Sequence, residues 1–309
     1  LVIGRLTKID DFPLYRLDYQ ADYELKEMVG LLPTTAQGGW SDKGEAGFAC
    51  TCFAAKDRRG HRVMGRNFDW DLHPVLVLFT APAVGYASVS LVDLHYLGYS
   101  PSVSPEVSPV ALARAPALPF DGMNEKGLAV GMMAVDSADG GADPAKPTVG
   151  ELGLIRLLLD RAANVEEAVV ILGSYNVGFE GVFLHYFVAD RSGASVVAEY
   201  VDGRLRLFRG EGSWQVSTNF LFSRVKAGKG AASCPRFAKA RDFLASTGGF
   251  VETPKPGGQG GALSLLQAVS QPSTRWSSVY DLEDGGLALA LGRHYERIFE
   301  WRLTDLGTK

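Results

Sequence analysis

The chain has 309 residues, 46% apolar and 21% charged, with a formal net charge of −4. That is enough apolar material for a full core in one large domain or two closely joined ones, and it excludes a disordered chain. No Lys/Arg run exceeds a few residues, which excludes a nucleic-acid footprint, and three cysteines cannot build an even disulfide framework.

In chain order, residues 1–49 have a character of their own. Leu14 to Met28 is a charged, partly amphipathic piece, and Gly38-Gly39-Trp40-Ser41-Asp42-Lys43-Gly44 reads as a loop leading to Cys50. From Cys50 onward, apolar runs bounded by Gly, Pro and Asp predict strands at Cys50–Ala55, Val63–Trp70, Val75–Thr80, Tyr86–Leu94 and Leu128–Val135. His73 to Val92 lacks Asp, Glu, Lys and Arg, but Pro74, Pro82 and Gly85 break it, so it reads as two buried strands and not a membrane span. Two helices follow, each with the spacing of a capping box: Thr148 with Glu151, and Asn164 with Glu167. Strands are then expected at Tyr186–Ala189, Ser195–Val201, Arg204–Phe208 and Trp214–Thr218, and helices at Arg236–Ala245 and Leu263–Val269, separated by the loop Pro254–Gly261. Val279–Leu282, Leu287–Leu291 and Ile298–Leu303 close the chain as strands. This order predicts two largely antiparallel sheets packed face to face and covered by helices.

The chemistry concentrates at Cys50, with Arg66 and Asp69 in Gly65-Arg66-Asn67-Phe68-Asp69-Trp70. An ordinary thiol is mostly protonated at neutral pH, and a neighbouring guanidinium favours the thiolate. Cutting the Ala49–Cys50 bond would give Cys50 an α-amino group, a base that titrates near working pH, and Asp69 would orient it. Cys52 is a rival nucleophile two residues on, which a regular strand turns to the same side. Arg66 and Asp69 lie three apart, so a bulge or strand end near Asn67 is needed for them to share a face. Neither a Gly-x-Ser-x-Gly elbow, a P-loop, a His-Glu-x-x-His pair nor a Cys-x-x-Cys pair is present.

These residues carry a resemblance. Cys50-Thr51, Gly65-Arg66-Asn67-Phe68-Asp69, the unbroken run from Asp121 to Leu128, Thr218-Asn219 and Arg236-Phe237 resemble, in order, the motifs of the choloylglycine hydrolase and penicillin V acylase family of N-terminal-nucleophile (Ntn) hydrolases. The acid ceramidase and N-acylethanolamine amidase branch is similar too. The resemblance implies an α+β fold, a four-layer αββα Ntn-hydrolase sandwich of two mostly antiparallel sheets. It implies residues 1–49 as a propeptide or amino-terminal subunit, the alternative being an uncut extension, and residues 50–309 as the catalytic domain. Its offsets favour Cys50 over Cys52. It implies Asn219 as a side-chain oxyanion donor, joined by the backbone N–H of Ala134, with Arg236 as electrostatic support. Ala134 stands where the two best-known branches carry an asparagine or a tyrosine, so the substrate is left open. Trp70, Met132 and Met133 are candidates for an acyl-chain pocket, and Asn124 for fixing a turn.

The expected activity is hydrolysis of linear, non-peptide amide C–N bonds through an acyl-enzyme. An acyltransferase and a non-catalytic, uncut binder of the same fold are the alternatives. No cofactor or metal is expected, and the partner is a small N-acyl amide, with a homo-oligomer possible. No signal segment is visible, which leaves the cytoplasm and export after removal of a leader both open.

Overall fold

A computed structural model describes residues 3–23, 25, 49–179, 182–225, 234–251 and 261–306. The predicted loops at 38–44 and 254–260, and most of the segment before Cys50, lie outside these residues. In chain order the strands are β1 (Gly4–Asp10), β2 (Leu14–Tyr19), β3 (Thr51–Lys56), β4 (Arg62–Asp69), β5 (Val75–Thr80), β6 (Ser88–Asp93), β7 (Asp121–Asn124), β8 (Leu128–Ala134), β9 (Thr148–Gly150), β10 (Asn176–Gly178), β11 (Leu184–Asp190), β12 (Ser195–Val201), β13 (Arg204–Arg209), β14 (Gln215–Thr218), β15 (Thr274–Asp281), β16 (Gly286–Leu291) and β17 (Ile298–Arg302). The helices are α1 (Glu151–Arg161), α2 (Val165–Ser174), α3 (Pro235–Ser246) and α4 (Gly261–Ala268).

A nine-stranded sheet runs β1-β2-β5-β6-β7-β8-β11-β12-β13, and a six-stranded sheet runs β14-β3-β4-β15-β16-β17. Every neighbouring pair in them is antiparallel except β2 against β5. The sheets face one another: a Cβ added at Gly131 of β8 would meet Arg66 Cδ, Met64 Cε and Cys52 Sγ of the other sheet at 3.0–3.2 Å. Helices α1 and α2 lie on the outside of the nine-stranded sheet, α3 and α4 on the outside of the six-stranded one. This is the expected α+β, four-layer αββα sandwich.

The burial follows from these layers. Strands such as Val75–Thr80 and Ser195–Val201 are buried on both faces; the first reads as a nearly continuous apolar run, and the second is one interrupted by Glu199. One core fills the space between the sheets and beneath α1 and α2; a second, around Phe53, Val63, Val216, Phe237 and Leu266, lies between the six-stranded sheet and α3 and α4.

Three local expectations are corrected. Thr148 does not cap a helix: it lies in β9, and Gly150 is the N-cap of α1, with no side-chain bond. Asn164 does cap α2, accepting from the Glu167 N–H at 3.0 Å, while Glu167 reaches back to the Ala163 N–H at 2.8 Å. The start of the amphipathic piece at Leu14 is a strand; β2 places Leu14 and Leu17, both fully buried, against β5. Of the bulge or strand end expected near Asn67, the strand end is met, since β4 stops at Asp69, but the bulge lies in the partner strand: Phe68 pairs with Trp276 and Asp69 with Thr274, which leaves Arg275 of β15 as the extra residue.

Candidate active site

Cys50 sits just before β3, with its side chain almost wholly buried. Across the ladder, Cys52 faces Arg66 and Thr51 faces Asn67, so strand alternation brings both thiols to the face of β3 that carries Arg66. Burial pushes the Cys50 thiol up, against the opposing pull of the Arg66 charge. The backbone of Asp69 also favours the Cys50 thiolate. Arg66 therefore eases the thiolate without making it the resting form of this chain. Burial pushes Cys52 up further; it lies deep between the sheets against Gly131 and reads as a core residue.

Arg66 is fully buried and highly constrained. Its guanidinium pairs with Asp121 and donates to the Met132 carbonyl at 2.8 and 3.2 Å, and it lies over the Phe68 ring at 4.9 Å. Burial works against its charge, but Asp121 and the two thiols hold its pKa above the ordinary value. Asp121 also accepts from Trp276 Nε1 at 3.0 Å, from Ser278 Oγ at 3.4 Å and from the Tyr280 hydroxyl. A buried ion pair stays charged only with such complete hydrogen bonding. Asp121 was not among the candidates, although it opens the second motif, the run to Leu128.

Asp69 ends β4. One carboxylate oxygen, Oδ1, accepts from the Thr274 hydroxyl, and the other, Oδ2, is buried with no hydrogen-bond partner among the described residues. Burial pushes this carboxyl up to about 6, against the Thr274 bond and the charges of Arg236, Arg66 and Arg293. Thr274 also escaped the sequence reading; an isolated threonine before a predicted hairpin gave no signal.

Asn219 and Arg236 reach the same place from the six-stranded side. Arg236, the second residue of α3, donates to the Cys50 carbonyl, to Thr51 Oγ1 at 3.1 Å and to Asn219 Oδ1 at 3.2 Å. Asn219 Nδ2 donates to the Ala134 carbonyl at 2.8 Å, which leaves its second N–H for another acceptor. Since Val135 N–H bonds to Phe183 across β11, alternation turns both the N–H and the C=O of Ala134 away from β11, toward Asn219.

The apolar candidates separate. Trp70 is half-buried next to Asp69, and its carbonyl accepts from Arg275 Nε at 2.8 Å. Met133 lies on the Gly131 side of β8, toward the other sheet, whereas alternation turns the Met132 side chain toward the helices, so only its carbonyl reaches the site. Met132 is thus corrected from pocket wall to Arg66 acceptor. Asn124 fixes the β7–β8 turn by accepting from the Lys126 and Leu128 N–H groups, and ties it to the end of α1 through Leu159 and Ala162.

Two other features stand apart from Cys50. A cavity of about 510 Å³ lies on the outer face of the six-stranded sheet over Val63, Val279 and Leu263, and no candidate site residue lines it. Asp57, His61 and Asp281 bring ligand atoms within 4.8 Å of one another, but Arg59 already bridges Asp57 and Asp281 at 2.7 and 2.5 Å.

The four-layer sandwich, with Cys50, Arg66, Asp69, Asn219 and Arg236 gathered at the head of β3, has the architecture of the Ntn-type amide hydrolases. Residues 50–221 match the profile of the linear amide C–N hydrolases, choloylglycine hydrolase family, and the chain belongs to that family. Among solved structures it is similar to a mutant conjugated bile acid hydrolase from Clostridium perfringens, at 16% identity and a TM-score of 0.59 over 83% of this chain and 93% of that one. It is also similar to a penicillin V acylase from Agrobacterium tumefaciens, at 22% identity and a TM-score of 0.56 over 83% and 88% of the two chains. At these identities the likeness is one of fold. No curated protein matches significantly.

Proposed function

We propose that this linear-amide hydrolase uses Cys50 as its nucleophile, after the Ala49–Cys50 bond is cut and Cys50 becomes the first residue of a new polypeptide. The observation that carries this reading is the open oxygen of Asp69, a residue whose charge acts on Cys50: Oδ1 is held by Thr274, while Oδ2 is buried and unpartnered among the described residues. An unsatisfied buried carboxylate oxygen is costly unless something comes to occupy it. The amine released at Cys50 is such an occupant.

The steps follow from the geometry. In the uncut chain burial keeps the thiol protonated, and the adjacent nitrogen is an amide with no basicity. Cutting converts it to an amine that takes the thiol proton as sulfur bonds to the substrate carbonyl carbon. The oxyanion is received by the free Asn219 N–H and the Ala134 backbone N–H. The tetrahedral intermediate collapses with transfer of the proton to the leaving amine and rupture of the C–N bond, and water then cleaves the thioester. The substrates are N-acyl amides with an apolar acyl group, in keeping with the bile acid hydrolase and penicillin V acylase folds. Residues 1–49 act as an amino-terminal subunit that stays docked, because β1 and β2 are part of the larger sheet.

Cys50→Ser is expected to abolish turnover across a panel of N-acyl amides of graded acyl length. By intact mass, the native chain should give two fragments split before Cys50, whereas the variant stays a single species of 33.2 kDa. Turnover by the variant would overturn the nucleophile assignment, and a single uncut but active native species would overturn the activation step. Product analysis with added amines separates hydrolysis from acyl transfer.

A further inference from the structure

Asn219 occupies the middle of a three-residue turn, closed by the Phe220 N–H donating to the Thr218 carbonyl at 3.0 Å. That turn is gripped from the opposite sheet by two fully buried side chains. His185 of β11 and Glu199 of β12 are both at 0% exposure on neighbouring strands, their facing atoms 3.6 Å apart. His185 Nε2 lies 2.8 Å from the same Thr218 carbonyl; since that oxygen can only accept, Nε2 carries the hydrogen. Glu199 closes the other end, one oxygen accepting from the Phe222 N–H at 2.5 Å and the other from the Ser223 N–H at 3.1 Å. Phe222 in turn lies edge-on to Phe237, the residue after Arg236, with ring centroids 6.0 Å apart.

Burying an imidazole and a carboxylate costs several kcal/mol that an apolar pair would not, so these two are weak candidates for simple core filling. Their hydrogen bonds hold the backbone on either side of the segment that carries Asn219, at Thr218 before it and at Phe222 and Ser223 after it. We infer that His185 and Glu199 are positioning residues, which fix the Thr218–Ser223 backbone so that the Asn219 amide meets the oxyanion. The inference rests on the oxyanion role proposed for Asn219. It needs the two sheets to hold one another in register, which a donor placed by β14 alone would not.

A double-mutant cycle tests it, on the N-acyl amide turned over fastest in the panel. Asn219→Ala is expected to lower kcat by about 10²–10³-fold. His185→Leu should lower kcat by about 10–100-fold with KM within about twofold, and should add less than about threefold on the Asn219→Ala background, because the donor it aligns is gone. Alkylation of Cys50 by iodoacetamide, which develops no oxyanion, should be unchanged within about twofold by His185→Leu. Should the leucine variant not fold, His185→Gln keeps an N–H in reach of Thr218 and retains turnover, whereas His185→Asn is too short and loses it. A His185→Leu effect that multiplies in full with Asn219→Ala, or that is absent, or equal turnover by the Gln and Asn variants, overturns the inference and leaves the Asn219 assignment standing. An Asn219→Ala variant with undiminished kcat overturns both.

Discussion

At the scale of single residues, the site is a set of carboxylates given opposite treatment. Asp121 has four hydrogen-bonding neighbours and serves Arg66, whereas Asp69 keeps one oxygen open and its pKa rises to about 6. Between its ordinary 3.8 and about 6, the folded chain holds a proton on Asp69 that the unfolded chain has lost. The contribution of this group to stability therefore falls as pH rises through that window, while the carboxylate that can orient an amine forms only at the top of it. The amine that comes to rest on Oδ2 after cutting favours the carboxylate further, so turnover is expected to decline on the acid side from about pH 6 downward. Thr274→Val removes a bond that favours the carboxylate and should move that limb upward, with turnover at pH 6 reduced about three- to tenfold and the plateau at higher pH kept within about twofold. A pH profile identical to that of the native protein would separate Asp69 from the limb. Cys50, Arg66, Asp69, Asn219 and Arg236 were all legible because they stand in motifs of fixed spacing. Asp121 stands in a motif too, but only Asn124 of that motif drew a role, and the parts played by Thr274, His185 and Glu199 are not legible because each acts through a partner at least 14 residues away in sequence, across a fold the sequence does not spell out.

Among the elements, the β3–β4 hairpin does most to place the chemistry. Its register sets Cys52 against Arg66 and carries Cys50 to the same side, and the extra residue in β15 lets Asp69 close the site from the end of β4. The expected irregularity was real but fell on the partner strand, because pattern in one strand cannot say which of two neighbours absorbs the offset. Gly65 in this hairpin is needed for space and not for backbone freedom: a Cβ there would come within 2.4 Å of the buried Phe53 ring. Gly65→Ala should destabilise the chain by about 1–3 kcal/mol, read as a lower denaturant midpoint with unchanged slope. An unshifted midpoint would show that Phe53 moves aside freely. Most strands were legible from apolar runs bounded by turn residues. The cap at Thr148 failed because Ser/Thr spacing to a glutamate also arises by chance, and here β10 pairs with Thr148–Gly150 and draws the threonine into a ladder.

For the molecule as a whole, the two-layer sheet packing and its helical covers were legible from the succession of strands and helices, but the place of the amino-terminal residues was not. A charged, partly amphipathic piece gives no hint that it forms a parallel pairing with a strand 61 residues on, Leu14 against Val75, since parallel partners share no turn signal. Leu14 and Leu17 are fully buried there, each worth about 1.5–3 kcal/mol, and Tyr23 donates to the Asp160 carboxylate at 3.0–3.1 Å beneath α1. After cutting before Cys50, the two pieces should therefore elute together on size exclusion and part only in denaturant. Release of the smaller piece under native conditions would show that it is a removable propeptide.

That parallel seam also bears on how the protein can be produced. Strand β5 is buried along its whole length, and β2 occupies its outer hydrogen-bonding edge. A polypeptide begun at Cys50 would start with the proposed nucleophile but leave six β-prone residues, Val75–Thr80, five of them apolar, as a bare template for strangers of its own kind. Under the proposed activation, synthesis of the whole chain first, with scission afterwards, would yield the amine without ever baring that strand.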